Sequence, residues 1–171
     1  VTASDGANSA TQDITVNVTN LNDNSPSFTS SATFSAAENQ TSIGTITATD
    51  ADGDTVSYSL SGTDASSMSI NSSSGVLTFN SAPDYETKTS YSATVTASDG
   101  TNSATQDITV NITDANDSAP VFTSSASFSA AENQTAIGTV TATDTDTDDS
   151  SIVFSVSGSE LAITSGGVLT F

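Results

Sequence analysis

The 171-residue chain has no cysteine, no histidine and no tryptophan, and Lys88 is its single basic residue. Without cysteine no disulfide staples it, and thiolate metal or redox chemistry is excluded. Without histidine and cysteine, most nucleophile–base pairs of covalent catalysis cannot be assembled. One basic side chain against 20 Asp and Glu leaves a formal net charge of −19. Such a surface cannot neutralise phosphates, so nucleic acid is excluded as a partner. An anionic membrane surface is equally unfavourable. No apolar run approaches the roughly 20 residues that a membrane-spanning helix needs, so direct membrane insertion is not expected. Apolar residues make up 34% and aromatics 6%, which predicts a thin core. Small domains with thin cores are marginal, and a ligand that binds only the folded state would supply part of the stability.

What is present is a repeat. Val1 to Asp50 returns at Val95 to Asp144, an offset of 94 residues, with 40 of 50 positions identical. Gly75-Val76-Leu77-Thr78-Phe79 recurs as Gly167-Val168-Leu169-Thr170-Phe171. A fixed period of this size signals an array of small domains rather than one globule. The expected division is the C-terminal part of one repeat over 1–24, a complete repeat over 25–118, and the N-terminal part of a third over 119–171. The chain reads as a window from a longer array.

The apolar pattern has period two. Tyr91, Ala93, Val95 and Ala97 alternate with Ser and Thr, as do Ala104, Ile108, Val110 and Ile112. Further strands are expected at Val56–Leu60, over Ile43 to Thr49, at Val76–Phe79 and around Phe34. Turn chemistry separates them at Ala51-Asp52-Gly53-Asp54, Ser61-Gly62, Ser73-Ser74-Gly75 and Asp99-Gly100. Seven short strands in about 95 residues predict an all-β sandwich.

The carboxylates fall at fixed places in this pattern. Glu38 lies in Ala37-Glu38-Asn39. Asp84-Tyr85-Glu86 precedes the Tyr91 strand. Asp114-Ala115-Asn116-Asp117-Ser118-Ala119-Pro120 follows the last strand, and Asp144-Thr145-Asp146 opens the next repeat. Asp99 ends the Tyr91–Ala97 strand. The preceding linker is Asn22-Asp23-Asn24, with Asp50 and Asp52 beyond it. Together these motifs resemble an extracellular cadherin repeat. The resemblance implies tandem seven-stranded Greek-key sandwiches, immunoglobulin-like in architecture, joined end to end by Ca2+. It implies Glu38, Asp84, Glu86, Asp114, Asn116, Asp117, Asp144 and Asp146 as ligands at the second junction. At the first junction it implies Asn22, Asp23, Asn24, Asp50, Asp52 and Asp99. Hard oxygen donors without nitrogen or sulfur are the set calcium prefers. Asn20 stands where the family has Asp, and Ser118 replaces an Asn. Asp13, Asp107, Asp148 and Asp149 lie outside the motif and are expected to be solvated surface acids.

The function implied is a calcium-rigidified rod, extracellular or at the cell surface. Its partners would be calcium, neighbouring repeats and other adhesin molecules or a surface ligand. Near-identity of adjacent repeats, acidity and absence of Cys favour a bacterial-type cadherin-domain adhesin or its stalk. The alternative is a structural subunit of an extracellular filament or matrix, in which 119–171 is completed by residues 1–24 of another copy. Counterparts of residues 80–94 would then be missing. A carbohydrate-binding module lacks its aromatic platform. A glycosidase pair of Glu38 and Glu86 is opposed by the repeat, since Glu38 returns as Glu132. An EF-hand loop at Asp50–Asp54 fails because Ser61 stands where the bidentate Glu belongs.

Overall fold

The protein is described here by a computed structural model covering residues 1–146 and 152–171, so Asp148 and Asp149 lie outside the described residues. It is all-β, with one 3-10 turn at Ala65–Ser67. Strands β1 (Thr2–Ser4) and β2 (Ser9–Thr11) form a short antiparallel hairpin. Residues 25–118 contribute β3 (Ser27–Phe28), β4 (Thr33–Ala37), β5 (Ser42–Thr45), β6 (Ala48–Thr49) and β7 (Ser57–Ser61). They continue with β8 (Met68–Ile70), β9 (Val76–Phe79), β10 (Ser90–Ser98) and β11 (Ser103–Thr113).

These strands make an immunoglobulin-like sandwich. One layer has the order β4-β11-β10-β7, with β4 parallel to β11 and the other pairs antiparallel. The other consists of β5-β9-β8 and the pair β3-β6. Alternation decides the facing. Ala93, Val95 and Ala97 of β10 and Ile108, Val110 and Ile112 of β11 point inward, while the intervening Ser, Thr, Gln and Asn stay wetter. Ile46, Leu77, Met68 and Phe79 meet them from the second layer. Phe79 and Tyr91 pack edge to face at 4.9 Å.

Most sequence-derived strands are present, with four differences, one of them the two-residue β3, which no alternation marked. The single strand expected over Ile43 to Thr49 is split into β5 and β6, which pair with β9 and β3 respectively. At the break, the Ile46 N–H donates to Gly75 O at 2.9 Å and Thr47 O accepts from Thr29 N–H at 2.8 Å. Val56 precedes β7 rather than opening it, and β8 carries too little periodicity to be seen in advance. Gly75 is fixed by its surroundings. Its φ is +70°, and a Cβ there would lie 2.1 Å from Ile46 O.

The described residues of 119–171 repeat the strands of one layer. The strands are β12 (Val121–Phe122), β13 (Ala136–Thr139), β14 (Ala142–Thr143), β15 (Ala162–Ile163) and β16 (Val168–Thr170). The pair β12-β14 and the sheet β13-β16-β15 copy β3-β6 and β5-β9-β8. Gly167 reproduces Gly75, with φ +85° and a hypothetical Cβ 2.2 Å from Val140 O. Among the described residues of this region no strand matches β4 or β7, whose partners in the complete sandwich are β11 and β10. An apolar groove of about 840 Å³ lies open there, lined by Phe122, Phe128, Ile137, Phe154 and Leu169 among others.

Candidate metal centre

The end of the sandwich nearest residue 118 collects acids from three separate loops. Glu38 follows β4 and is 2% exposed. Burying a carboxylate requires compensation. Its Oε2 accepts the Tyr85 N–H at 2.8 Å and its Oε1 accepts the Ala115 N–H at 2.7 Å. One side chain thus ties β4 to the Asp84–Glu86 turn and to the segment after β11. Oxygens of Glu38, Glu86 and Asp114 lie within 4.8 Å of one another. So do those of Glu86, Asp117 and Asp146, so Glu86 belongs to both groups. Asp146, 6% exposed, accepts the Ser118 N–H through Oδ2 at 2.9 Å, while its Oδ1 is buried without a hydrogen-bond partner.

The electrostatics of this end are strained. The Glu86 backbone N–H lowers the pKa of its own carboxyl. Desolvation, the Glu38 charge, the Asp84 carboxylate and the Asp114 charge together outweigh that and raise it to about 7. Asp84 moves the other way, because the Thr87 hydroxyl and N–H hold its carboxylate below the usual range.

Five of the residues expected at this junction therefore converge in the two triads: Glu38, Glu86, Asp114, Asp117 and Asp146. Asp84 borders the same cleft with its oxygens turned to Thr87. Asp144 Oδ1 accepts the Asp146 N–H at 3.1 Å and so shapes the loop. Asn116 lies exposed in the same linker. Asn39, not singled out in the sequence, donates from Nδ2 to Asp117 Oδ2 and holds a positive φ of 59°. Its signal was available, because Asn tolerates left-handed backbone and Asn133 repeats it at 63°.

The first junction is organised differently. Oxygens of Asp50, Asp52 and Asp54 lie within 4.8 Å of one another, so Asp54 joins two expected ligands. Asp52 Oδ2 accepts the Asp23 and Asn24 N–H groups at 3.0 and 2.9 Å. The Asn24 N–H is the main cause that lowers the Asp52 pKa. Asn24 Nδ2 reaches Asp23 Oδ1 and both Asp52 oxygens. Asn20, which replaces the family's Asp, donates to Asp52 O at 2.8 Å. Asp99 Oδ1 accepts the Thr101 and Asn102 N–H groups at 2.7 and 2.6 Å, and the Asn102 N–H leads in lowering its pKa. Asn102 Nδ2 then donates to Asn22 Oδ1 at 2.6 Å.

The donor set fits a hard divalent cation. It consists of carboxylate and amide oxygens, and Asp50 Oδ2 and Asp146 Oδ1 are buried without hydrogen-bond partners. A buried anionic oxygen without a donor is costly, and a cation removes that cost.

Comparison with known proteins matches residues 31–113 to the cadherin domain family. Mouse protocadherin Fat 4 is 37% identical over 149 residues, covering 79% of this chain but 3% of that protein. Mouse cadherin EGF LAG seven-pass G-type receptor 1 is 34% identical over 149 residues, covering 80% of this chain and 5% of that protein. The chain thus spans a small fraction of these relatives. Among solved structures, EC1-2 of human protocadherin-24 superposes with a TM-score of 0.76 at 24% identity, covering 88% of this chain and 77% of that one. Protocadherin gammaB7 EC3-6 gives 0.74 at 28%, covering 95% of this chain and 46% of that one.

Proposed function

From the premise that this chain is a cadherin-like repeat protein, we propose that it is a calcium-binding, calcium-rigidified segment of an extracellular or cell-surface rod. The repeats divide at 1–24, 25–118 and 119–171. Glu38, Glu86 and Asp114 hold one ion, and Glu86, Asp117 and Asp146 hold a neighbouring one, with Asp84, Asn116 and Asp144 completing or orienting the set. Asn22, Asp23, Asn24, Asp50, Asp52 and Asp99 serve the first junction. The observation that carries this reading is that Glu86 is common to two carboxylate triads built from different loops. Without a cation these charges repel, and the connection after residue 118 loses its lock. With calcium the charge is nearly balanced, and the loop holding Asp146 is tied to the linker and to the end of the sandwich. The role is adhesive or architectural, as an adhesin or its stalk, and not catalytic.

Small-angle scattering of the chain in calcium and in chelator tests this. A narrow, extended distance distribution in calcium that broadens in chelator is expected. Identical profiles, with no calcium uptake in calorimetric titration, refute it.

A further inference from the structure

We infer that Asn102 is an internal stand-in for the cation at the first junction: its amide NH2 gathers the oxygens that calcium would take, so calcium enters there only by displacing it. The inference deepens the proposed function and rests on reading Asn22, Asn24 and Asp99 as ligands. Asn102 Nδ2 stands 2.6 Å from Asn22 Oδ1, 3.0 Å from the Asn24 carbonyl oxygen and 3.3 Å from Asp99 Oδ2. A carboxamide has two hydrogens to donate, yet three oxygens crowd this nitrogen. They come from two segments about 80 residues apart, the linker and the turn between β10 and β11. Each belongs to a residue that the cadherin resemblance implies as a cation ligand.

The turn is built to place this amide. Asp99 Oδ1 accepts the backbone N–H of both Thr101 and Asn102, which fixes the base of the Asn102 side chain and leaves Asp99 Oδ2 for its tip. Asn8, the copy 94 residues earlier, sits in the same turn beside Asp5. Its Nδ2 reaches Asp5 Oδ2 at 3.4 Å. The other two contacts of Asn102 go to Asn22 and Asn24 in the linker.

A merely structural asparagine and a stand-in for the cation predict opposite signs. If Asn102 only organises the ligands, its removal weakens calcium binding. If it occupies their focus, its removal strengthens binding while loosening the calcium-free junction. The test titrates calcium by calorimetry into the unaltered chain, N102A and N102L, and melts all three in chelator. N102A should bind calcium more tightly at one class of site, on the order of tenfold for the loss of these hydrogen bonds, and should melt a few degrees lower in chelator. N102L keeps the size and removes the donor without adding a charge, so it should shift in the same directions even if N102A folds poorly. Unchanged or weaker calcium binding in both variants overturns the inference. Absence of calcium uptake by the unaltered chain overturns the calcium reading itself, and that result is seen before any substitution is made.

Discussion

Ile108, Val110 and Ile112 are 2%, 0% and 5% exposed, whereas Ile14, Val16 and Val18, their counterparts 94 residues earlier, are 60%, 78% and 92% exposed. The two segments differ at only two of 19 positions, Ala7 against Thr101 and Val18 against Ile112. Yet β11 runs from Ser103 to Thr113, and β2 stops after Thr11. Local propensity is the same in both. What differs is that β11 lies between β10 and β4, with the second layer behind it. A strand is thus made by its neighbours, and β-branched alternation only makes it eligible. Among the described residues of 119–171, β12-β14 and β13-β16-β15 form and no strand matches β4 or β7.

The largest effect should come from the core side of this contrast. Ile108→Ala should cost about 2–5 kcal/mol in denaturant unfolding, as for other buried Ile truncations. Ile14→Ala should stay within about 0.5 kcal/mol, as at ordinary exposed positions. Equal losses would mean that residues 1–24 are packed in solution and would break the comparison.

A second contrast sets converging acids against isolated ones. Glu86→Ala removes a ligand from both triads. It should lower calcium affinity by more than the roughly tenfold typical for loss of an outer-sphere partner. Asp107, which accepts from Thr94 Oγ1 on the sheet surface, lies outside the carboxylate groups found among the described residues. Asp107→Ala should leave the calorimetric isotherm unchanged. Similar losses in both variants would assign the ion to diffuse surface charge.

The pH dependence sharpens the same contrast. Glu86 has its folded pKa raised from 4.5 to about 7, so the folded state binds the proton more tightly than the unfolded chain. The stability this contributes in chelator is fully present below pH 4.5 and is lost as pH rises through about 7. Glu86→Gln should flatten that decline. Calcium uptake near neutral pH should release protons, readable as a buffer-dependent calorimetric heat, and Glu86→Gln should reduce the release.

The smallest effect concerns the lone ion pair among the described residues. Lys88 Nζ bridges to Asp64 and lies 4.6 Å from the centre of the Tyr91 ring. The Lys88 hydrogen bond leads in lowering the Asp64 pKa. Its stabilising contribution is therefore present above the unfolded carboxylate pKa and fades as pH falls through the lower folded value. Because Lys88 is 41% exposed, Lys88→Met should cost less than about 1 kcal/mol near neutral pH, and salt should shrink the difference.

Much of this was legible in the sequence. Alternation at Tyr91–Ala97 and Ala104–Ile112 located the two central strands, because both have one buried and one wet face. The cadherin resemblance, carried by Glu38, Asp84-Tyr85-Glu86 and Asp114–Asp117, nominated the acids of one end. Asn39 and Asn102 were not singled out. Asparagine is common in this chain, and neither has a spacing that separates a bond across the junction from a turn residue. The division of Ile43–Thr49 into two strands was equally hidden, because it depends on where β3 and β9 lie.

By itself, the sequence determined the class of this protein: an all-β repeat, too acidic for phosphates, without the side chains of common catalysis, and with hard oxygen donors at a fixed period. These follow from residue chemistry and order, which need no neighbour to be read. Tertiary structure decided which of two nearly identical segments became a strand. It also decided which of the nominated acids share a focus, with Glu86 common to two triads and Asp84 turned aside to Thr87. Convergence of atoms from segments tens of residues apart is a property of packing, and the packing exists only where every strand has its partner.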